Sequence, residues 1–116
     1  MTNSAISNIM FEVDFSKMPN VTLFTGRKNG RKARQYFGIR ASEEFSFVAN
    51  DDQVITSSYF LGLIGDELAT LLKKPGSNNI KLLLQRVHTD RLNLVSQNEC
   101  IRAIKRGLSP QNDVLL

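Results

Sequence analysis

Residues 51–72, DDQVITSSYFLGLIGDELATLL, decide how the chain reads. Val54 and Ile55 give a short buried-strand signal, Thr56, Ser57 and Ser58 make a turn of small hydroxyl residues, and an amphipathic helix follows. Phe60, Leu61, Ile64, Leu68, Leu71 and Leu72 recur at three- and four-residue spacing, which places them on one apolar stripe. Hydroxyls at the helix start accept bonds from first-turn N–H groups that lack partners within the helix. A serine there sits at the positive end of the helix dipole, where an added phosphate is favoured. Lys73-Lys74-Pro75-Gly76 ends the helix, with cations at its negative pole and proline-glycine just beyond.

Toward the N-terminus, residues 9–15 (IMFEVDF) alternate like a strand and residues 21–25 form a second short one. Lys17-Met18-Pro19-Asn20 between them has turn chemistry, so the pair predicts a hairpin. A helix is expected over residues 28–37, with Gly30 weakening its first turn. Residues 44–49 (EFSFVA) put Phe45 and Phe47 on one strand face or lead into the strand ending at Ile55, with a turn at Asn50-Asp51-Asp52. Toward the C-terminus, the apolar run 80–87 (IKLLLQRV) predicts a strand covered on both faces. Residues 98–108 predict a last helix, with Cys100, Ile101, Ile104 and Leu108 inward and Arg102, Lys105 and Arg106 outward. Residues 109–116 carry too little pattern to assign and are expected to be a loose tail. The expectation is one small α/β domain over residues 1–108, a mixed sheet of four to five strands with helices packed on it, in the order β-β-α-β-α-β-α.

Composition narrows the chemistry. The single cysteine, Cys100, excludes an internal disulfide, and with one histidine, His88, a zinc cluster is implausible. No cofactor motif stands out, because the stretch from Gly26 to Gly30 lacks the lysine-hydroxyl ending of a phosphate-binding loop. There is no apolar run of membrane-spanning length and residues 1–8 do not resemble a secretory leader, so a cytoplasmic protein without a membrane partner is expected. The formal charge is +4, unevenly spread. Arg27, Lys28, Arg31, Lys32, Arg34 and Arg40 follow one another without an acid, whereas Glu43, Glu44, Asp51, Asp52, Asp66 and Glu67 gather elsewhere. A basic patch and an acidic one are expected.

Two motifs carry a family resemblance: Phe24-Thr25-Gly26-Arg27 with Gly30 and Arg34, and Val54-Ile55-Thr56-Ser57-Ser58-Tyr59-Phe60 with Gly62. With them, a later strand at 80–84 and a closing helix, the chain resembles the STAS-like domain family of bacteria over residues 23–108. In the related anti-sigma factor antagonists, the corresponding turn holds an aspartate, two serines and a glycine. The first serine is phosphorylated by a kinase that is also the anti-sigma factor, which blocks binding. The resemblance places Ser57 at that position with Ser58 beside it. Here Thr56 stands in place of the aspartate and Tyr59 in place of the glycine, so partner binding carries over better than phosphorylation. It implies a non-enzymatic regulatory domain whose Thr56, Ser57, Ser58, Tyr59 and Asp66 contact a protein partner of the ATP-binding kinase or anti-sigma type. Ser57 or Ser58 would be the phosphorylation switch.

Each candidate also has a plainer reading. Ser57 and Ser58 serve equally as helix caps, a role worth about 1 kcal/mol. Arg27, Lys28, Arg31 and Arg34 suit phosphate contact, to nucleic acid or a nucleotide-bearing partner, yet a solvated face whose stems cover apolar surface is as natural. Adjacent Asp66 and Glu67 point in different directions and read as a solvated helix face. His88 follows a strand and Cys100 sits on an apolar helix face, so no catalytic triad can be drawn from them. The alternatives to a protein-binding regulator are a nucleic-acid-binding module using residues 27–34 and an inhibitor of a larger machine.

Overall fold

The computed structural model describes residues 10–108; residues 1–9, with the first residue of the expected strand 9–15, and the tail 109–116 lie outside the described residues. The elements are β1 (Met10–Asp14), a 3-10 turn (Phe15–Lys17), β2 (Leu23–Phe24), α1 (Arg27–Phe37), β3 (Glu44–Val48) and β4 (Val54–Ile55). After them come α2 (Ser57–Leu72), α3 (Ile80–Leu84), β5 (Val87–Arg91), α4 (Leu94–Arg102) and a π-helical turn (Ala103–Gly107). The result is a small α/β domain in which every strand pairing is parallel. One sheet has the order β1-β3-β5 and the other is β2-β4. A mixed sheet was the expectation. Parallel pairing follows because each pair of neighbours is joined through helices that lie against the sheets.

The anticipated hairpin does not form. β1 pairs with β3, setting Phe11 beside Phe45 and Val13 beside Phe47, while β2 pairs with β4, setting Phe24 beside Ile55. Gln53 explains the separation. Its side chain is fully buried, and its Nε2 donates to the carbonyls of Phe15 (3.0 Å), Met18 (2.9 Å) and Val21 (2.9 Å). The connection between β1 and β2 thus satisfies its carbonyls on a side chain from the next unit, not on an antiparallel neighbour.

Residues 80–87 also differ from expectation. Ile80–Leu84 is a short helix, and the strand begins only at Val87. Asn79 caps it, its Oδ1 accepting from the Leu82 N–H at 2.9 Å. Lys81, Leu82, Leu83 and Leu84 are unbranched at Cβ and favour a helix once such a cap is present. Only Leu83 is buried in this helix, so the run is apolar without being covered on both faces. The final helix starts earlier than expected, at Leu94, because Asn93 accepts from the Ser96 N–H at 2.8 Å. Asn93 also donates to the carbonyls of Asp51 and Gln53, and the buried Ser96 hydroxyl accepts from the Ile55 N–H at 3.1 Å. The start of α4 is pinned to β4 by these bonds.

The core is Val13, Phe15, Phe45 and Phe47 from the β1–β3 side, Phe24 and Ile55 from the second sheet, and Phe60, Leu63, Ile64 and Leu68 from α2. Phe15 lies at its centre, with the rings of Phe24 and Phe37 at 4.9 and 5.2 Å. α2 is buried over more of its circumference than a single stripe, with Tyr59 and Leu63 joining Phe60, Ile64, Leu68 and Leu71. The reason is α1. Gly30 and Gly62 let the two helices meet backbone to backbone: a Cβ on Gly62 would lie 2.0 Å from the Arg27 carbonyl oxygen, and one on Gly30 would lie 2.2 Å from that of Tyr59.

Gly62→Ala is therefore expected to lose about 1–3 kcal/mol of unfolding free energy, although alanine is the better helix former. Gly65→Ala on the same helix meets only Leu61 carbons at 3.9 Å and is expected to be neutral or to gain up to about 1 kcal/mol. Urea denaturation of the two variants beside the parent chain checks both signs.

Candidate functional site

Strands β2 and β4 lie side by side and run the same way, so the turns at their carboxyl ends, Thr25-Gly26 and Thr56, open the neighbouring helices α1 and α2. Carboxyl ends of parallel strands are where ligands collect in α/β folds. Gly26 takes φ +94°, a conformation that favours glycine, and lets the chain enter α1 directly. Thr56 is the N-cap of α2, its Oγ1 accepting from the Tyr59 N–H at 3.4 Å and lying 3.3 Å from the Phe24 carbonyl oxygen. The Ser58 hydroxyl accepts from the Gly26 N–H at 3.2 Å and lies 3.3 Å from Thr56 Oγ1. Thr56 and Ser58 knit the two turns together.

Ser57 is placed differently. Its N–H donates to Glu99 Oε1 at 2.8 Å, and none of the bonds that fasten the two turns uses its hydroxyl. The residue is half-buried at the edge of an open cleft of about 390 Å³, lined by Arg27, Leu61, Arg102, Ala103, Arg106 and Gly107. Gly107 belongs to that wall for a packing reason, since a Cβ there would fall 2.5 Å from Leu61 Cδ1. Arg102 holds the other side of Glu99, with its Nη1 3.6 Å from Oε2. Three arginines from two distant parts of the sequence thus line the cleft at whose edge Ser57 sits.

The other expected contact residues do not gather there. Tyr59 is buried, its ring 5.5 Å from that of Phe24, and burial pushes its phenol above the ordinary value of 10. It belongs to the core, contrary to its expected place among the partner contacts. Asp66 is exposed and follows Ser57 by nine residues, which at about 100° per residue turns it to the opposite side of α2. There it meets Arg31, with Nη1 3.9 Å from Oδ2; both side chains are largely exposed, so the pair contributes little.

The basic helix forms as expected, yet its cations have different employments. Arg34 is turned onto α2, where it makes a bidentate pair with Glu67 at 2.7 and 2.7 Å and donates to the Leu63 carbonyl at 2.8 Å. It is a strut between helices and does not offer itself to a nucleic-acid phosphate. Among the described residues Arg27 enters no ion pair with a carboxylate. Lys28 is exposed. His88 Nε2 lies 2.6 Å from Glu44 Oε1 on the neighbouring strand. Cys100 is buried, and desolvation pushes its thiol up to about 12, which leaves it protonated and unreactive at neutral pH.

Among the described residues no group of three or more histidine, cysteine or acidic side chains is arranged to hold a metal ion. No helix there is long and apolar enough to cross a membrane. Compared with protein-family models, curated proteins and solved structures, the chain matches none.

Sequence reading missed Arg102, Arg106 and Glu99 as companions of Ser57. The outward positions of Arg102 and Arg106 on the last helix were legible, but nothing local to residues 99–106 says that this helix packs beside the start of α2.

The Arg34 hydrogen bonds hold the Glu67 carboxyl below its ordinary value of 4.5. A folded-state pKa below the unfolded one stabilises the fold above the unfolded value, and that contribution is lost as pH falls through the folded value. Glu67→Gln is expected to cost about 1–3 kcal/mol at pH 7. Its deficit relative to the parent chain should shrink below pH 4.5, as the parent's carboxylate takes up its proton. Chemical denaturation at neutral and acid pH reads the difference.

Proposed function

We propose that the chain is a non-enzymatic regulatory domain that binds a protein partner, of the kind the anti-sigma factor antagonists exemplify. The contact surface is the start of α2 at Ser57 with the cleft beside it, without the buried Tyr59 or Asp66 on the opposite side of the helix. The observation that carries this reading is the half-buried Ser57 standing among Arg27, Arg102 and Arg106, apart from the hydroxyls that tie the fold together. Cations around an open cleft suit an acidic partner surface and speed its approach. An ATP-binding kinase-type or anti-sigma-type protein is the partner that the resemblance implies.

The same arrangement gives the switch a mechanism. A phosphate on Ser57 brings about 1.5 to 2 negative charges into a cleft that Arg27, Arg102 and Arg106 line, and competes with Glu99 for the first turn of α2. The cleft is then filled and neutralised from within, so an acidic partner loses both its space and its counter-charges. Ser58 is the poorer acceptor of phosphate, because its oxygen already receives the Gly26 N–H. The rival nucleic-acid reading is weakened by Arg34, which spends its guanidinium on Glu67 and Leu63.

Affinity capture from the source cell with the parent chain, followed by titration of the recovered protein against Ser57→Asp and Ser58→Ala variants, tests the reading. Ser57→Asp is expected to weaken binding by about tenfold or more, the loss of one or two charge-assisted contacts. Ser58→Ala should bind nearly as the parent does. Full affinity in Ser57→Asp, or a gel shift with duplex DNA that collapses in higher salt and depends on Arg27, refutes the proposal.

A further inference from the structure

We infer that the hollow beside β2, between residues 18–21 and the first turn of α1, is a binding site for a small neutral molecule with an apolar body and a carbonyl oxygen. This goes beyond the regulatory reading and does not involve the cleft at Ser57. The hollow has a volume of about 280 Å³. An apolar cavity of about 150 Å³ already holds benzene, so there is room for a substituted ring. Met18, Val21, Leu23 and Phe24 give it apolar walls. Val21 and Leu23 are exposed although large and apolar, and they stand together at this one place. Among the described residues no charged side chain lines the hollow, although 22% of the chain is charged. A phosphate or carboxylate ligand would enter without a counter-charge, which favours a neutral one.

Tyr59 supplies the polar contact. It follows Ser57 by two residues, which turns it about 200° round α2, away from the arginine-lined cleft. The residue is only 5% exposed, and its ring is held 5.5 Å from that of Phe24 and 6.3 Å from that of Phe15. Its N–H is bonded to Thr56 Oγ1, but among the described residues its phenolic hydroxyl has no hydrogen-bond partner. Buried polar groups are normally paired, so a hydroxyl left open on the wall of a hollow points to a ligand. The other polar residues there are engaged. Asn29 Nδ2 donates to the Thr25 carbonyl at 2.9 Å, and Thr25 Oγ1 lies 3.4 Å from Thr56 Oγ1. Tyr59 is thus the group that orients a guest, and a phenol, as donor, selects an oxygen acceptor.

Titration of the whole chain with acetophenone, and with α-methylstyrene, which carries a methylene in place of the oxygen, tests the inference by NMR of the backbone amides. Saturable shifts at Leu23, Asn29 and Tyr59 are expected with acetophenone. α-Methylstyrene should bind about tenfold more weakly, because it leaves the phenol unpaired. In Tyr59→Phe the two probes should bind within about twofold of each other. That variant should also keep the parent's urea midpoint, since no internal hydrogen bond is lost with the hydroxyl. Four results overturn the inference: no saturable shift at these amides, equal affinities of the two probes for the parent, a preference for acetophenone that survives in Tyr59→Phe, or a clearly lower midpoint for that variant. None of these readouts requires the protein partner, so failure here and failure of the docking reading are separately visible.

Discussion

The approach of α1 to α2 at Gly30 and Gly62 is the constraint on which the rest of the molecule depends. Without side chains at the crossing, carbonyl oxygens stand close to where Cβ atoms would otherwise be, so any side chain there would force the backbones apart. The contact is locked farther along by the bidentate Arg34–Glu67 pair. Because β2 and β4 feed these helices through very short turns, fixing the helix pair also fixes the two turns relative to each other. Thr56 and Ser58 can then bond to Phe24 and Gly26 across the gap. Closeness of backbones is what brings Arg27 to the mouth of the cleft.

Part of this was legible from residue order. The segment from Val54 to Leu72 announces itself because its signals agree: a β-branched pair, a hydroxyl cap, helical spacing of large apolar residues and a proline-glycine stop. α1 was legible too, and Gly30 looked like a weakness within it. In the folded chain that glycine is a requirement, which no local rule reveals, since it depends on what crosses it. The error at residues 80–84 has a similar origin. A run of leucines with one charged residue fits a buried strand or a short capped helix equally well, and the deciding feature is the Asn79 side chain.

The hairpin was a natural reading of two adjacent short strands, and a buried glutamine more than thirty residues away overrides it. Gln53 looks like a turn residue in sequence. In the fold it gathers three carbonyls and accepts from the Asn50 N–H at 2.8 Å, so the β1–β2 connection is organised by a group outside itself. The candidate site was half legible for the same reason. Ser57 could be singled out by its place before an apolar helix, whereas its arginine neighbours come from the far end of the chain, and Tyr59, beside it in sequence, turns into the core.

The wide turn at Ala103–Gly107 gives the molecule slack in length at one point. A π turn holds one residue more than the α-helical turn it replaces, so it takes up an extra residue with little change of direction between its two ends. That slack lies in the cleft wall, where Arg106 stands beside Arg102 and Gly107 meets Leu61. One codon gained or lost there is therefore felt first at the rim of the cleft, while both sheets and their phenylalanine centre stay as they are.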